Sequence, residues 1–583
     1  MRSKQHLVLL SLTGAFVLLA AAVFYLVATP VQQESAVSSG SVTPERTEPS
    51  RSWFFNGGST RDTDYFYQSL LAAFRDRYVA TASPGRFRVA QSDQAERSAQ
   101  NAPSTTTRAE RPEPTSVISL TNGSRRVDPN IEISAAQLRQ IKPDVVKMVG
   151  PVSEDRDLKD LPYLPARQES GEAPLRRHPP GELALNALLR GPVADDAPIP
   201  YRKSSFFASM PSPIQTFAGV DSVASACGCL PPDTDGDVGP SNYVQSVNSS
   251  IKITNKTGTV ISGPTTYNSF FSGLGAATPC GNNQNDGDGI AFYDHIADRW
   301  VVSDFAFPAF PGTSFYQCIG VSKTSNPASG GWWLYAVQID PSNPTFLGDY
   351  PKFGMWPDAY YMAVNLFSNT TTFNGVRVFA FDRNAMMNGN PANTIAFTVA
   401  PADLGDQYSF VPESFRLGQA PPAGQPNMFM DVNSSATAGT VENQVFVRRF
   451  HVDFVTPANS TFGADPTHHA PDGTITVNGF VDAFTSAGTT IVPQNGTTSL
   501  LDTLGDKIMY PLIYQNLGGK ESVYAVQTVN NNQNGTGPTA IRWYQFNVTG
   551  NTIPATPLQQ QTFNNGGDGL WRFMPSINVD TLG

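Results

Sequence analysis

Ile290-Ala-Phe-Tyr-Asp-His-Ile-Ala-Asp-Arg-Trp-Val-Val-Ser-Asp-Phe305 reads as a strand, a tight turn and a second strand. β-Branched and aromatic residues fill both arms, as a pleated surface buried on at least one face requires. Between them the polar residues of 295–298 supply the turn. The same design recurs on both sides of this stretch. Residues 243–253 alternate with period two, and the turn at 255–258 returns the chain into 259–263, forming a hairpin. Residues 316–322 and 332–338 flank a Pro/Gly/Ser turn at 326–331. Residues 359–365 with 376–381, 427–432 with 444–450, and 522–528 with 540–546 repeat the pattern. Beyond residue 216 the spacing supports one convincing helix, at 383–388.

These strand pairs recur every 55–85 residues or so. Several follow a Pro- or Asp-bearing turn, as at 350–358, 506–511 and 571–576. Radial stacking of small sheets lets an all-β region of this size form one core while leaving only short, protected edges. Residues 216–583 are therefore expected to form an all-β domain, a β-propeller of about six visible blades with the last incomplete. Tandem β-sandwiches are the alternative; no Pro-rich linkers separate the units, and no Cys–Trp–Cys signature is present. With its last strand edge left open at residue 583, the domain is expected to be C-terminally truncated.

Upstream the composition differs. Residues 30–215 are expected to be a low-complexity stalk or pro-region, rich in Ser, Thr, Pro and Glu, with short helices at 64–80 and 135–149. Arg2 and Lys4 precede an apolar run over residues 7–28, long enough for a signal peptide or a signal anchor. Either one exports the remainder, and an uncleaved helix tethers it to the membrane. Residues 1–215 carry 25 Lys+Arg against 22 Asp+Glu, whereas residues 216–583 carry 14 against 27. In the acidic part 24 of the 27 carboxylates are aspartates, which favour turns over helices. So acidic a domain is a poor partner for phosphate backbones, which argues against nucleic acid. All four cysteines, Cys227, Cys229, Cys280 and Cys318, fall in the β region. In an exported chain an even count favours disulfides over zinc. Cys227 and Cys229 stand too close to bridge comfortably, so each is expected to reach elsewhere.

Tyr243-Val-Gln-Ser-Val-Asn248, Tyr293-Asp-His-Ile-Ala-Asp-Arg-Trp300, Asp349-Tyr-Pro-Lys-Phe-Gly-Met-Trp-Pro-Asp-Ala-Tyr-Tyr361 and Ile541-Arg-Trp-Tyr544 resemble a family of largely uncharacterised exported bacterial β-propeller proteins, loosely similar to sialidase-type propellers. The resemblance covers residue 231 to the C-terminus. It implies a propeller and a secreted or surface location, and it lends no activity.

Asp233, Asp235 and Asp237 occupy alternate positions beside Gly236 and Gly239, and Asp286 and Asp288 stand in a second Asp/Gly cluster. Carboxylates at positions 1, 3 and 5 of a loop suit a structural Ca²⁺. Val238 and Val244 depart from the EF-hand pattern, and tight turns have the same composition. A sialidase-like site needs an arginine cluster, a tyrosine and an acid. Arg299, Arg377, Arg416, Arg448, Arg542 and Arg572 are available, but no spacing selects among them. His468-His469 suits a solvated loop better than a metal site. The function expected is an exported or surface-tethered module binding carbohydrate, cell-surface polymer or protein. A sialidase-like glycan hydrolase and a structural envelope spacer are the alternatives.

Overall fold

A computed structural model describes residues 143–167, 213–227, 229, 231–368, 372–434, 440–483, 490–530, 538–564 and 568–580. All belong to one unit, Glu113–Gly583. The apolar run at 7–28, the helix expected at 64–80 and most of the stalk lie outside the described residues. Among the described residues no helix is long and apolar enough to cross a membrane.

Two short strands, β1 (Asp144–Lys147) and β2 (Val149–Glu154), precede a series of antiparallel meanders. The first meander is β3 (Thr234–Val238), β4 (Asn242–Val247), β5 (Ser250–Asn255) and β6 (Val260–Thr266). The second is β7 (Asn285–Asp294), β8 (Arg299–Ala306), β9 (Tyr316–Ser322) and β10 (Trp332–Gln338). The third is β11 (Leu347–Met355), β12 (Ala359–Phe367), β13 (Phe373–Asp382) and β14 (Asn393–Val399). In the fourth, β15 (Val411–Gly418), β16 (Asn427–Val432) and β17 (Val441–His451) are followed by β18 (Thr461–Phe462) and β19 (Gly473–Val481), which both pair with β17. After a small hairpin of β20 (Thr490–Pro493) and β21 (Leu500–Asp502) comes the fifth: β22 (Ile508–Leu517), β23 (Lys520–Asn530), β24 (Thr539–Asn547) and β25 (Gln559–Phe563). The first strands of successive meanders touch, β3 to β7, β7 to β11 and β11 to β15. β15 pairs in parallel with β22.

Sheets stacked in this way are buried on both faces, which explains the long apolar runs. In the second meander Val301, Ile319, Val321 and Val337 face one core, while Trp300, Val302, Cys318 and Ala336 face another shared with the first meander. Every residue of β12 is buried. A clasp ties the second meander to the third. Asp294, at the end of β7, takes Arg383 Nε at 2.6 Å and Nη2 at 2.9 Å, and Tyr360 Oη donates to it at 2.8 Å. Arg383 opens α2 (Arg383–Met387), the helix expected from sequence; α1 (Tyr267–Phe270) follows β6.

Several expectations are corrected. The alternation over 243–253 is not one strand, because Asn248 adopts a left-handed conformation (φ 44°) and turns β4 into β5. Residues 144–147, inside the helix expected at 135–149, form β1, since pairing with the open edge of β14 outweighs local propensity. The stalk therefore contributes to the β body: β1 extends the third meander and β2 extends the second. Residues 164–167 then run alongside α1. Leu164 O accepts from Thr266 Oγ1 at 2.5 Å, and Arg167 Nη1 lies 3.3 Å from Asp286. Among the described residues the partial blade expected from residue 571 carries no strand; Arg572 N and Met574 N instead donate to Thr539 O and Thr528 Oγ1. The disulfides are Cys280–Cys318 and Cys227–Cys229. The latter pair was expected to reach elsewhere, but their Cα atoms are 5.2 Å apart, within ordinary bridging range.

Candidate functional site

The first strands of the five meanders carry the residues that sequence alone read as loops. Asp235 and Asp237 lie on β3, with side chains on one face because the strand period is two. Asp235 Oδ2 accepts from Ala291 N at 2.9 Å, and Asp237 Oδ2 accepts from Tyr293 N at 2.8 Å. Both carboxylates therefore hold β3 against the bulged β7. Asp237 also accepts from Arg416 Nη1 of β15 at 2.5 Å, linking the first meander to the fourth.

Four of these five strands break register against a paired strand. β7 does so between Asn285 and Ile290, β11 between Asp349 and Lys352, β15 between Phe415 and Leu417, and β22 between Met509 and Ile513. A bulge re-aims side chains that a regular pleat would direct elsewhere. Here it frees Asp288, Tyr350, Arg416 and Tyr510. Gly287 is required on β7, since a Cβ there would overlap Asn248 Oδ1. Tyr350 sits in the left-handed region (φ 56°), and Lys352 Nζ lies 3.7 Å above its ring. Lys507, ahead of β22, stands 5.4 Å over the same ring and pairs with Asp506 at 2.6 Å.

The electrostatics follow from burying this cluster. Asp235 keeps a partly exposed edge, yet desolvation pushes its carboxyl up to about 6, against the pull of the Ala291 amide and of Lys352 and Arg416. Burial likewise raises Asp288, which Lys352 and Asp233 partly offset. Lys352 is lowered by burial, opposed by Asp288, Asp233 and Asp235. Tyr350 and Tyr510 are raised by burial and by the surrounding aspartates, and so remain neutral hydroxyls. His295, in the β7–β8 turn with its ring 4.7 Å from that of Phe415, is lowered mainly by burial. The result is a junction of acids, cations and two phenols supplied by five meanders.

The five aspartates expected to bind Ca²⁺ do not form one ligand set. Asp235 and Asp237 hold amides and an arginine, Asp286 faces Arg167, and Asp233 and Asp288 face Lys352. Among the described residues no group of three His, Cys, Asp or Glu side chains is arranged to hold a metal ion. Nor do the arginines converge. Arg299 binds carbonyls of its own turn, Arg448 pairs with buried Asp431, Arg542 donates to Asn478 O, and Arg572 pairs with Asp568. Only Arg416 reaches the junction. His468 contacts Asp403 at the surface, and His469 is buried against Phe462 O. Tyr350, Lys352 and Tyr510 were missed as site residues. Their signal was the Tyr-Pro pair at 350–351 and again at 510–511, each at a bulge.

No protein-family model and no curated protein sequence matches the chain. Among solved structures, the GH43 endo-arabinanase from Bacillus licheniformis matches at 12% identity and a TM-score of 0.25, over 54% of this chain and 94% of its own. A GH43 β-1,3-galactosidase with galactodeoxynojirimycin matches at 8% and 0.28, over 56% and 93%. The endo-1,5-α-L-arabinanase from Thermotoga petrophila matches at 10% and 0.25, over 54% and 70%. At such TM-scores these matches carry no weight here, and the reading below rests on the chain's own sheets and side chains.

Proposed function

We propose that the five meanders are the blades of a propeller and that their junction binds a glycan. One observation carries the reading: the first strand of every meander contributes a side chain to a single mutually interacting cluster, Asp235, Asp288, Lys352, Arg416 and Tyr510. Concave polar sites with a few fixed charged groups and aromatic walls suit sugars, whose hydroxyls both donate and accept while their C–H faces lie on rings. The two disulfides support an exported location. Tethering through residues 7–28 is part of the same proposal.

The raised carboxyl of Asp235 favours a second reading, glycan hydrolysis. A group near 6 beside another carboxylate, Asp237, is the arrangement a general acid needs. Its protonated form disappears as the pH rises through about 6, so such an activity would fade above that pH.

The test is a glycan array on the full chain, with arabino- and galacto-oligosaccharides as first probes, alongside assays for released reducing sugar. Binding without release, weakened by Asp235→Asn, supports the binding module. Release abolished by that change supports the hydrolase. Neither binding nor release would sink both and leave the spacer.

A further inference from the structure

A second polar site lies away from the strand junction and is independent of it. A cavity of about 360 Å³ opens where β1 crosses the ends of the second and third meanders, lined by Asp144, Lys147, Tyr316, Gln338, Ser342 and Arg377 among others. Its volume falls in the range of small-molecule sites. Arg377, on β13, is 2% exposed. Its Nη1 donates to Thr398 Oγ1 at 2.6 Å, which fixes the guanidinium plane.

The other edge of that guanidinium is ion-paired but makes no hydrogen bond. Neither Nε nor Nη2 has a hydrogen-bond partner, although both are buried. Asp144 Oδ2 stands 2.8 Å from Nη2 without completing a hydrogen bond, and Asp144 is itself half exposed. Asp340 lies 3.7 Å from Nη1, but its oxygens already accept from Ser342 N, Asn343 N and Asn343 Nδ2. A buried, immobilised Nε–H/Nη2–H fork matches the two parallel acceptors of a carboxylate. Lys147 adds a second positive charge, the Gln338 amide and the Ser342 hydroxyl can hydrogen-bond to sugar hydroxyls, and Tyr316 provides a ring wall.

We propose that this cavity binds a carboxylate-bearing sugar unit, with the acid group on the Arg377 fork and the ring against Tyr316. Asp144 competes for the fork and gives way when the ligand enters. The carboxylate can come from a free sugar acid or from a uronate within a polysaccharide, and the probes separate these sources.

Calorimetry on the full chain with galacturonate, a galacturonate oligomer, succinate and glucose tests the proposal. Galacturonate is expected to bind and glucose not. Arg377→Lys, which keeps the charge but loses the fork, is expected to weaken binding about tenfold or more. Asp144→Asn removes the competitor and is expected to tighten it about threefold. Tighter binding of the oligomer points to a polysaccharide, and equal binding to a free sugar acid. No binding of galacturonate by the wild type, succinate binding as tightly as galacturonate, or an unchanged affinity in Arg377→Lys overturns the proposal. Should Arg377→Lys fail to fold, Asp144→Asn decides: an affinity no higher than wild type overturns it.

Discussion

Two buried arginines six residues apart serve different ends. Arg383 is fully used: Asp294 accepts from the whole Nε/Nη2 edge, Pro357 O accepts from Nη1 at 3.2 Å, and Tyr360 donates to the same carboxylate. Arg377 is equally buried but leaves its lateral fork without hydrogen bonds, facing a cavity. The first is a clasp between sheets. The second is a prepared donor. Burial alone does not separate structure from site; the state of the hydrogen-bonding edge does.

The largest expected effect breaks the clasp. Arg383→Met leaves Asp294 buried and unpaired and is expected to cost about 4 kcal/mol in urea unfolding. Arg377→Met should cost about 1 kcal/mol, because less is lost. Equal losses would break the comparison.

Glu413 comes next, as a buried group with one edge empty. Its Oε2 accepts from Met428 N at 3.1 Å, whereas Oε1 has no partner. Burial, reinforced by Glu521, raises its pKa from 4.5 to about 8. Between those values the unfolded chain releases the proton and the folded chain keeps it, so this group's contribution to stability falls as pH rises through the window and is level above about 8. Glu413→Gln removes that slope. The variant is expected to match wild type near pH 4.5 and to exceed it by on the order of 3 kcal/mol near pH 8. Parallel unfolding curves at both pH values would contradict this. The smallest effect concerns Ca²⁺. With Asp235, Asp237 and Asp286 engaged by protein partners, excess chelator is expected to leave the melting temperature unchanged, and a drop of several degrees would restore a metal to the account.

The sequence was most legible where strands are buried on both faces. The pairs at β7–β8, β9–β10, β12–β13, β16–β17 and β23–β24 all stand where apolar periodicity placed them. It was least legible at the first strands. Thr234-Asp-Gly-Asp-Val238 and Asn285-Asp-Gly-Asp-Gly289 look like turns because one side of each strand faces a polar junction instead of a core. Their pairing partners and bulges, which make them strands, are not written locally. β1 is a similar case: its partner β14 lies some 250 residues away, and only the fold brings that edge to it. The chemistry of the site was visible in part. Asp235, Asp237 and Asp288 stood out by spacing, but as ligands for a metal; the cations and phenols that join them come from three other meanders.

The central claim, that the strand junction is a glycan site, is tested most directly by calorimetry with an oligosaccharide identified on the array, comparing wild type with Asp235→Asn and Tyr510→Phe. Affinity reduced about tenfold in each variant, with melting temperatures held, is the expected result. Unchanged affinity in both folded variants would place glycan binding elsewhere on the molecule and contradict it.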